Sequence, residues 1–205
     1  YADPLTAADN AVTFQAVVRT IAAQNGLWAD FSPRPLPDHP GSGMHINLSA
    51  RRNGQELSPL DLVPGLLDRA RDMTLFLNPT ENSYDRLGRD KAPAYISWSE
   101  QNRSQLVRVP AAAGEYRRLE LRSPDSGANP YLAFALLIYA CLDGMEKGLP
   151  LPESADLDLL HAPENTAARY DALPRSLEEA AAFARESDFI RAHIPAVVLD
   201  GYCRQ

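Results

Sequence analysis

Two short stretches gather side chains able to hold an anion and a cation together. In GSGMHINLS, residues 41–49, the alternation of an extended chain puts His45, Asn47 and Ser49 on one face and Met44, Ile46 and Leu48 on the other. In YRRLELR, residues 116–122, the same alternation groups Arg118, Glu120 and Arg122, with Leu119 and Leu121 opposite. Charges on a largely buried strand are costly unless each has a partner. One reading is therefore an internal Arg–Glu–Arg ion network beside a polar edge strand. The other is chemical: the arginines hold phosphate or carboxylate groups, and Glu120 with His45 supplies ligands for Mg or Mn. NRSQLVR adds Arg103 and Arg108, the kind of cluster that stabilises a transferring phosphoryl group. The sequence has neither a Walker phosphate loop nor a dinucleotide fingerprint, so a bound nucleotide would rest on arginines and metal.

The charge distribution agrees with an anion site. The 205-residue chain carries a net charge of −7, which disfavours broad attraction to nucleic acid or anionic membrane. Yet Arg86, Arg89, Arg103, Arg108, Arg117, Arg118 and Arg122 crowd its middle, while the acidic excess follows residue 150. No apolar run reaches the roughly 20 residues that span a bilayer, and no secretory leader opens the chain. A cytoplasmic, soluble protein is expected. Cys141, in an apolar helical run, is expected to be a buried thiol, and two cysteines make no disulfide framework.

The elements that must position these residues are partly signalled. Thr6 and Asp9 resemble a capping box for a first helix carrying Phe14, Val17, Val18, Ile21 and Ala22, with Gly26 as its stop. Four prolines and two glycines between Ser32 and Met44 predict an extended, stiff loop before the first strand. Asn53-Gly54 predicts a hairpin turn. Leu62 to Leu77 traces one second helix, with Pro64 near its first turns or marking its start, and NPTENSYDRLGRDKAP reads as loop. Strands are expected at Ala94–Trp98, Leu106–Val109 and through YRRLELR. Asn129-Pro130 then caps a central helix, apolar almost all round, that Gly148 closes. Residues 149–174 read as irregular, Ser176 with Glu179 caps a surface helix, and a short helix ends the chain. The fold class is α+β, a mainly antiparallel sheet with packed helices. Residues 1–205 read as one domain, with 149–205 as its helical tail. YADPL at the start reads as mid-domain, as if a longer chain had been cut.

Four motifs, GSGMHINLS, NPTENSYDRL, APAYISWSEQNRSQLVRVP and RRLELRSPDSGANPYLAFALLIYACLDG, resemble in order and spacing the catalytic domain of glutamine synthetases. The resemblance is clear over residues 1–150 and looser beyond. It implies the glutamine synthetase/guanido kinase-like fold and an ATP-dependent ligase that joins ammonia to the γ-carboxylate of glutamate through γ-glutamyl phosphate. It also implies divalent metals and a homo-oligomeric ring with active sites between subunits. By matching motif, His45 and Glu120 resemble metal ligands. Gly41, Arg86 and Arg122 resemble the contacts to glutamate, and Arg103 and Arg108 those around the transferring phosphate. Asn47, Ser49 and Arg118 fall at the nucleotide.

The departures are specific. Lys91 stands where the family usually has a glutamate that shields the intermediate and helps deprotonate ammonium; a lysine there repels a cation. Pro40 replaces a usual asparagine, Arg34 a usual lysine, and Glu115 an often basic position. Leu160 takes the approximate place of a modifiable tyrosine, which predicts no such regulation. The upstream metal-binding glutamates and small N-terminal domain of the family are expected to lie outside this chain, leaving about half an active site. Three readings remain open: glutamine synthetase, a γ-glutamyl-amide ligase for an organic amine, and a non-catalytic relative that keeps the fold.

Overall fold

A computed structural model describes residues 2–204, apart from the side chain of Glu115, so the departure noted at Glu115 lies outside the described residues. Helix α1 runs Pro4–Gln24. It begins earlier than the Thr6–Asp9 box predicts: Asp3 accepts the Thr6 N–H at 3.0 Å, and Pro4 occupies the first helical position, where its missing N–H costs nothing. Strand β1 (Ile46–Leu48) follows the proline loop. A hairpin of β2 (Arg51–Arg52) and β3 (Gln55–Glu56) turns at Asn53 and Gly54, both at positive φ as its two-residue loop requires.

The expected single second helix is two, α2 (Pro59–Asp68) and α3 (Ala70–Leu77), meeting at Arg69. Ser58 caps α2, so Pro64 lies inside it and removes one backbone bond without ending it. The expected loop after α3 contains a short helix, α4 (Glu81–Arg86), capped reciprocally by Thr80 and Ser83. Six residues are too few for an apolar period to show.

Four strands make the main sheet, in the order β1, β6 (Leu119–Leu121), β5 (Val107–Arg108) and β4 (Trp98–Ser99). The β1–β6 and β6–β5 pairs are antiparallel, whereas β5–β4 is parallel. The strands are shorter than predicted. Residues Ala94 to Ile96 bond instead to 171–173, and Tyr116 belongs to a short 3-10 turn.

Register fixes the two faces. Ile46, Leu121, Val107 and Trp98 align across one side, all buried. Asn47, Glu120, Arg108 and Ser99 align across the other. The apolar side belongs to a core that includes α2, α3 and α5 (Pro130–Glu146). Asn129 caps α5 through the N–H groups of Tyr131 and Leu132. That helix is central as predicted, but Tyr131, Tyr139 and Leu142 remain on its exposed side. Where α2 crosses α5, Gly65 and Gly144 bring backbone against backbone, and a Cβ on either would strike the other helix.

The tail holds α6 (Glu164–Ala167), α7 (Leu177–Glu186), α8 (Asp188–His193) and α9 (Ala196–Tyr202). Ser176 accepts the Glu179 N–H, but the Glu179 carboxylate accepts from Arg175, so only half of the predicted box forms. The one predicted terminal helix is two because Pro195 holds Ile194 extended. No helix among the described residues is long and apolar enough to cross a membrane.

Candidate functional site

Glu120 is the hub of the polar sheet face. Its Oε1 accepts from Arg122 Nη1 at 3.1 Å and lies 3.0 Å from His45 Nδ1, while Oε2 accepts from Arg108 Nη1 at 3.2 Å. Burial alone would raise this carboxyl. The contact with His45, the charge of Arg122 and the hydrogen bond from Arg108 more than offset it and hold the pKa at about 2. Glu120 is therefore an anion at any physiological pH. Arg122 is almost fully buried, and burial lowers its pKa against the opposing pull of Glu120. Its second terminal nitrogen donates to the Lys91 carbonyl at 3.3 Å, which fastens the 87–92 loop to the sheet.

Arg86 enters from α4, also buried, and donates to the carbonyls of Ser123 (2.7 Å) and Arg122 (3.2 Å). The glycine loop closes over it. A Cβ at Gly41 would sit 2.9 Å from the Arg86 side chain; one at Gly43 would sit 2.6 Å from its Nη2 and 3.0 Å from His45 Nε2. Glycine at both positions is thus a steric requirement of the guanidinium and the imidazole beneath.

Some of the sequence-selected residues line two hollows, whereas Glu120, Arg122, Arg103 and Arg108 are in the lining of neither. His45, Asn47 and Ser49 line one of about 330 Å³ beneath the starts of α1 and β1, with Phe134 and Ile138 of α5. Gly41, Arg86, Lys91 and again His45 line another of about 460 Å³, together with Pro40, Gly43, Arg89, Asp90 and Ala92. His45 is the wall between them. Arg118 donates to Asn47 Oδ1 at 3.0 Å and to the Tyr116 carbonyl, so it braces β1. Arg103 is exposed, near enough for its charge to lower the pKa of Arg122.

With Nδ1 turned to Glu120, His45 places Nε2 on the side that Gly43 leaves open. An imidazole nitrogen and an ionised carboxylate fit two positions around a divalent cation. They are not a full set: no group of three His, Cys, Asp or Glu side chains with metal-holding geometry occurs among the described residues.

Comparison with known proteins identifies the family. The family model described as glutamine synthetase, catalytic domain, matches residues 1–205. The chain belongs to the glutamine synthetase family. It is 39% identical to the glutamine synthetase of Methanosarcina mazei over 217 residues, covering 98% of this chain and 48% of that protein. It is 40% identical to that of Staphylococcus aureus, covering 93% and 46%. Among solved structures, "GmaS/ADP complex-Conformation 1" superposes with a TM-score of 0.88 at 32% identity, covering all of this chain and 50% of that one. The chain thus spans about half the length of these relatives. The α+β class with a mainly antiparallel sheet is that of this glutamine synthetase-type fold.

Sequence reasoning missed one residue that fastens the glycine loop beside this face. Asp125 is fully buried, accepts from Asn78 Nδ2 (2.8 Å) and the Gly127 N–H (2.9 Å), and burial pushes its carboxyl pKa up. Gly43 bridges to it, and Met44 and Ser126 bond across the same seam. Pro-Asp-Ser-Gly reads as an ordinary turn, so only tertiary burial marks Asp125. Arg34, noted in the sequence as a departure, donates to the carbonyls of Pro37 and Asp85 and lies 3.7 Å from Asp90, contacts that the sequence did not show.

Proposed function

We propose that residues 1–205 form the C-terminal catalytic part of an ATP-dependent ligase that makes an amide on the γ-carboxylate of glutamate through γ-glutamyl phosphate. The observation that carries this reading is the row of Arg108, Glu120 and Arg122 with His45 beside it, in a chain of the glutamine synthetase family. The likeness to a GmaS–ADP complex supports a nucleotide product.

In this reading His45 Nε2 and Glu120 would hold a divalent cation, with its remaining ligands coming from elsewhere. Such a cation, Mg or Mn, offsets phosphate charge during transfer. Arg103 and Arg108 stabilise the transferring phosphoryl group, and Asn47, Ser49 and Arg118 line the nucleotide side. Gly41, Arg86 and Arg122 bind glutamate. Arg86 does so from a guanidinium already anchored to two carbonyls, so its remaining N–H directions are fixed in advance. A homo-oligomeric ring in the cytoplasm accompanies this reading.

Lys91 on the wall of the larger hollow favours a second reading, an organic amine in place of ammonia. The test is ADP release by the full-length protein, as its gene encodes it, with ATP, Mg or Mn and glutamate. Hydroxylamine as nucleophile should give the γ-glutamyl hydroxamate. If ADP release is independent of glutamate, the ligase reading falls; if no ADP is released at all, a non-catalytic relative is what remains.

A further inference from the structure

The larger hollow is lined by Arg86, Arg89 and Lys91 against one carboxylate, Asp90. These charges are not equivalent. Arg86 is anchored to the carbonyls of Ser123 and Arg122, and its remaining N–H groups are those assigned to glutamate above. Asp90 lies 3.7 Å from the half-buried Arg34 guanidinium, which offsets its charge. The Asp90 backbone is held at φ 55, an uncommon conformation for a residue with a side chain. Deeper in, Glu120 is shared between Arg108 and Arg122. That leaves Arg89 and Lys91, which among the described residues have no side-chain hydrogen bond or ion pair.

Two unmatched cations on the wall of a concave site raise the local concentration of anions and repel cations. The hollow's volume, about 460 Å³, lies within the range that encloses whole small-molecule ligands; Gly41 and Arg86 on its wall are assigned to glutamate above, which leaves Arg89 and Lys91 as the lining cations for a second substrate. The backbone behind Lys91 is fixed by the Arg122 bond to its carbonyl, so the lysine projects from an anchored loop.

We infer that the amine substrate carries an anionic group, a carboxylate or sulfonate, which Arg89 and Lys91 hold at the mouth of this hollow. The inference rests on the ligase reading above. In the step concerned, the nitrogen lone pair of the neutral amine forms the C–N bond to the γ-carbonyl. The bond from that carbon to the bridging phosphate oxygen breaks. Orthophosphate leaves with its electron pair, and the nitrogen loses its surplus proton to solvent or to the departing phosphate. The anionic tail stays outside this chemistry and supplies binding and orientation.

The test uses the full-length protein with ATP, metal and glutamate. Hydroxylamine reports the ligase itself, while 4-aminobutyrate, taurine, ethylamine, 1,4-diaminobutane and ammonium report amine choice. The anionic amines should show kcat/KM at least about tenfold above ethylamine and the diamine. Arg89→Glu and Lys91→Glu should each cut the ratio of taurine to ethylamine by about fivefold or more, and Arg89→Lys should restore most of it. Because both substrates are read on the same preparation, loss of folded protein cancels. If hydroxamate forms but ethylamine or ammonium is preferred, or the reversals leave the ratio unmoved, this inference is overturned and the ligase reading stands. If hydroxylamine yields no hydroxamate and glutamate releases no ADP, both fall.

Discussion

At Glu120, three neighbours decide the chemistry. Its folded pKa of about 2 lies below the ordinary 4.5, so its ionised partners stabilise the fold above that ordinary value. That contribution fades as pH falls through 4.5 toward 2. Glu120→Gln should therefore flatten the dependence of unfolding midpoint on pH across this window; an unaltered slope would mean the carboxylate is not coupled to folding. Arg86 makes a different prediction. Arg86→Met strips two charge-assisted bonds from buried carbonyls and should lower stability by about 2–4 kcal/mol in urea titrations. The thiols separate cleanly: Cys141 is buried with its pKa pushed up to about 12, and Cys203 is half-buried near the C-terminus. A disulfide reagent should label Cys203 in the native protein and reach Cys141 only on unfolding.

Among the elements, local signals that require only neighbours in sequence were legible: the Asn129 cap, the Asn53-Gly54 hairpin and the alternation that sorts His45 and Asn47 on one strand, and Glu120 on another, to the polar face. Signals that depend on distant partners were not. The Thr6 box lost to Asp3 and Pro4, helix α4 is too short to show a period, and residues 94–96 pair with 171–173 rather than extending a sheet. The site followed the same rule. Its charged rows could be read from alternation, whereas Asp125 and Arg34 matter through contacts made across the fold. The α2–α5 crossing gives a paired test. Gly144→Ala places a methyl against the Gly65 backbone and should cost about 2–3 kcal/mol, while Gly201→Ala meets open space in α9 and should be neutral or slightly stabilising in thermal melts.

Over the whole molecule, apolar surface is unevenly hidden. Helix α1 buries only Ala8, and leaves Phe14, Val17 and Ile21 at 62%, 47% and 55% exposure. Its ties to the rest of the fold include Gln15 to the Ser126 carbonyl, Tyr131 to Asp9, Phe14 edge-on to Phe31, Arg19 over the same ring, and packing on α5. A contiguous apolar stripe of this kind promotes association. Residues 1–205 expressed alone should elute with a concentration-dependent mass in light-scattering chromatography, and Phe14→Glu with Ile21→Glu should return the monomer mass. A monomer at all concentrations would show that the stripe is tolerated in water.

The bond from Arg122 to the loop is received by the main chain of residue 91 and makes no use of its side chain. The attachment therefore survives any substitution there that keeps the backbone path. A saturation library at position 91 should give nearly uniform protein abundance but widely scattered substrate preference. Such a position can be rewritten by evolution in single steps, with no repair needed elsewhere, and a lineage could exchange one amine for another without passing through an unfolded ancestor.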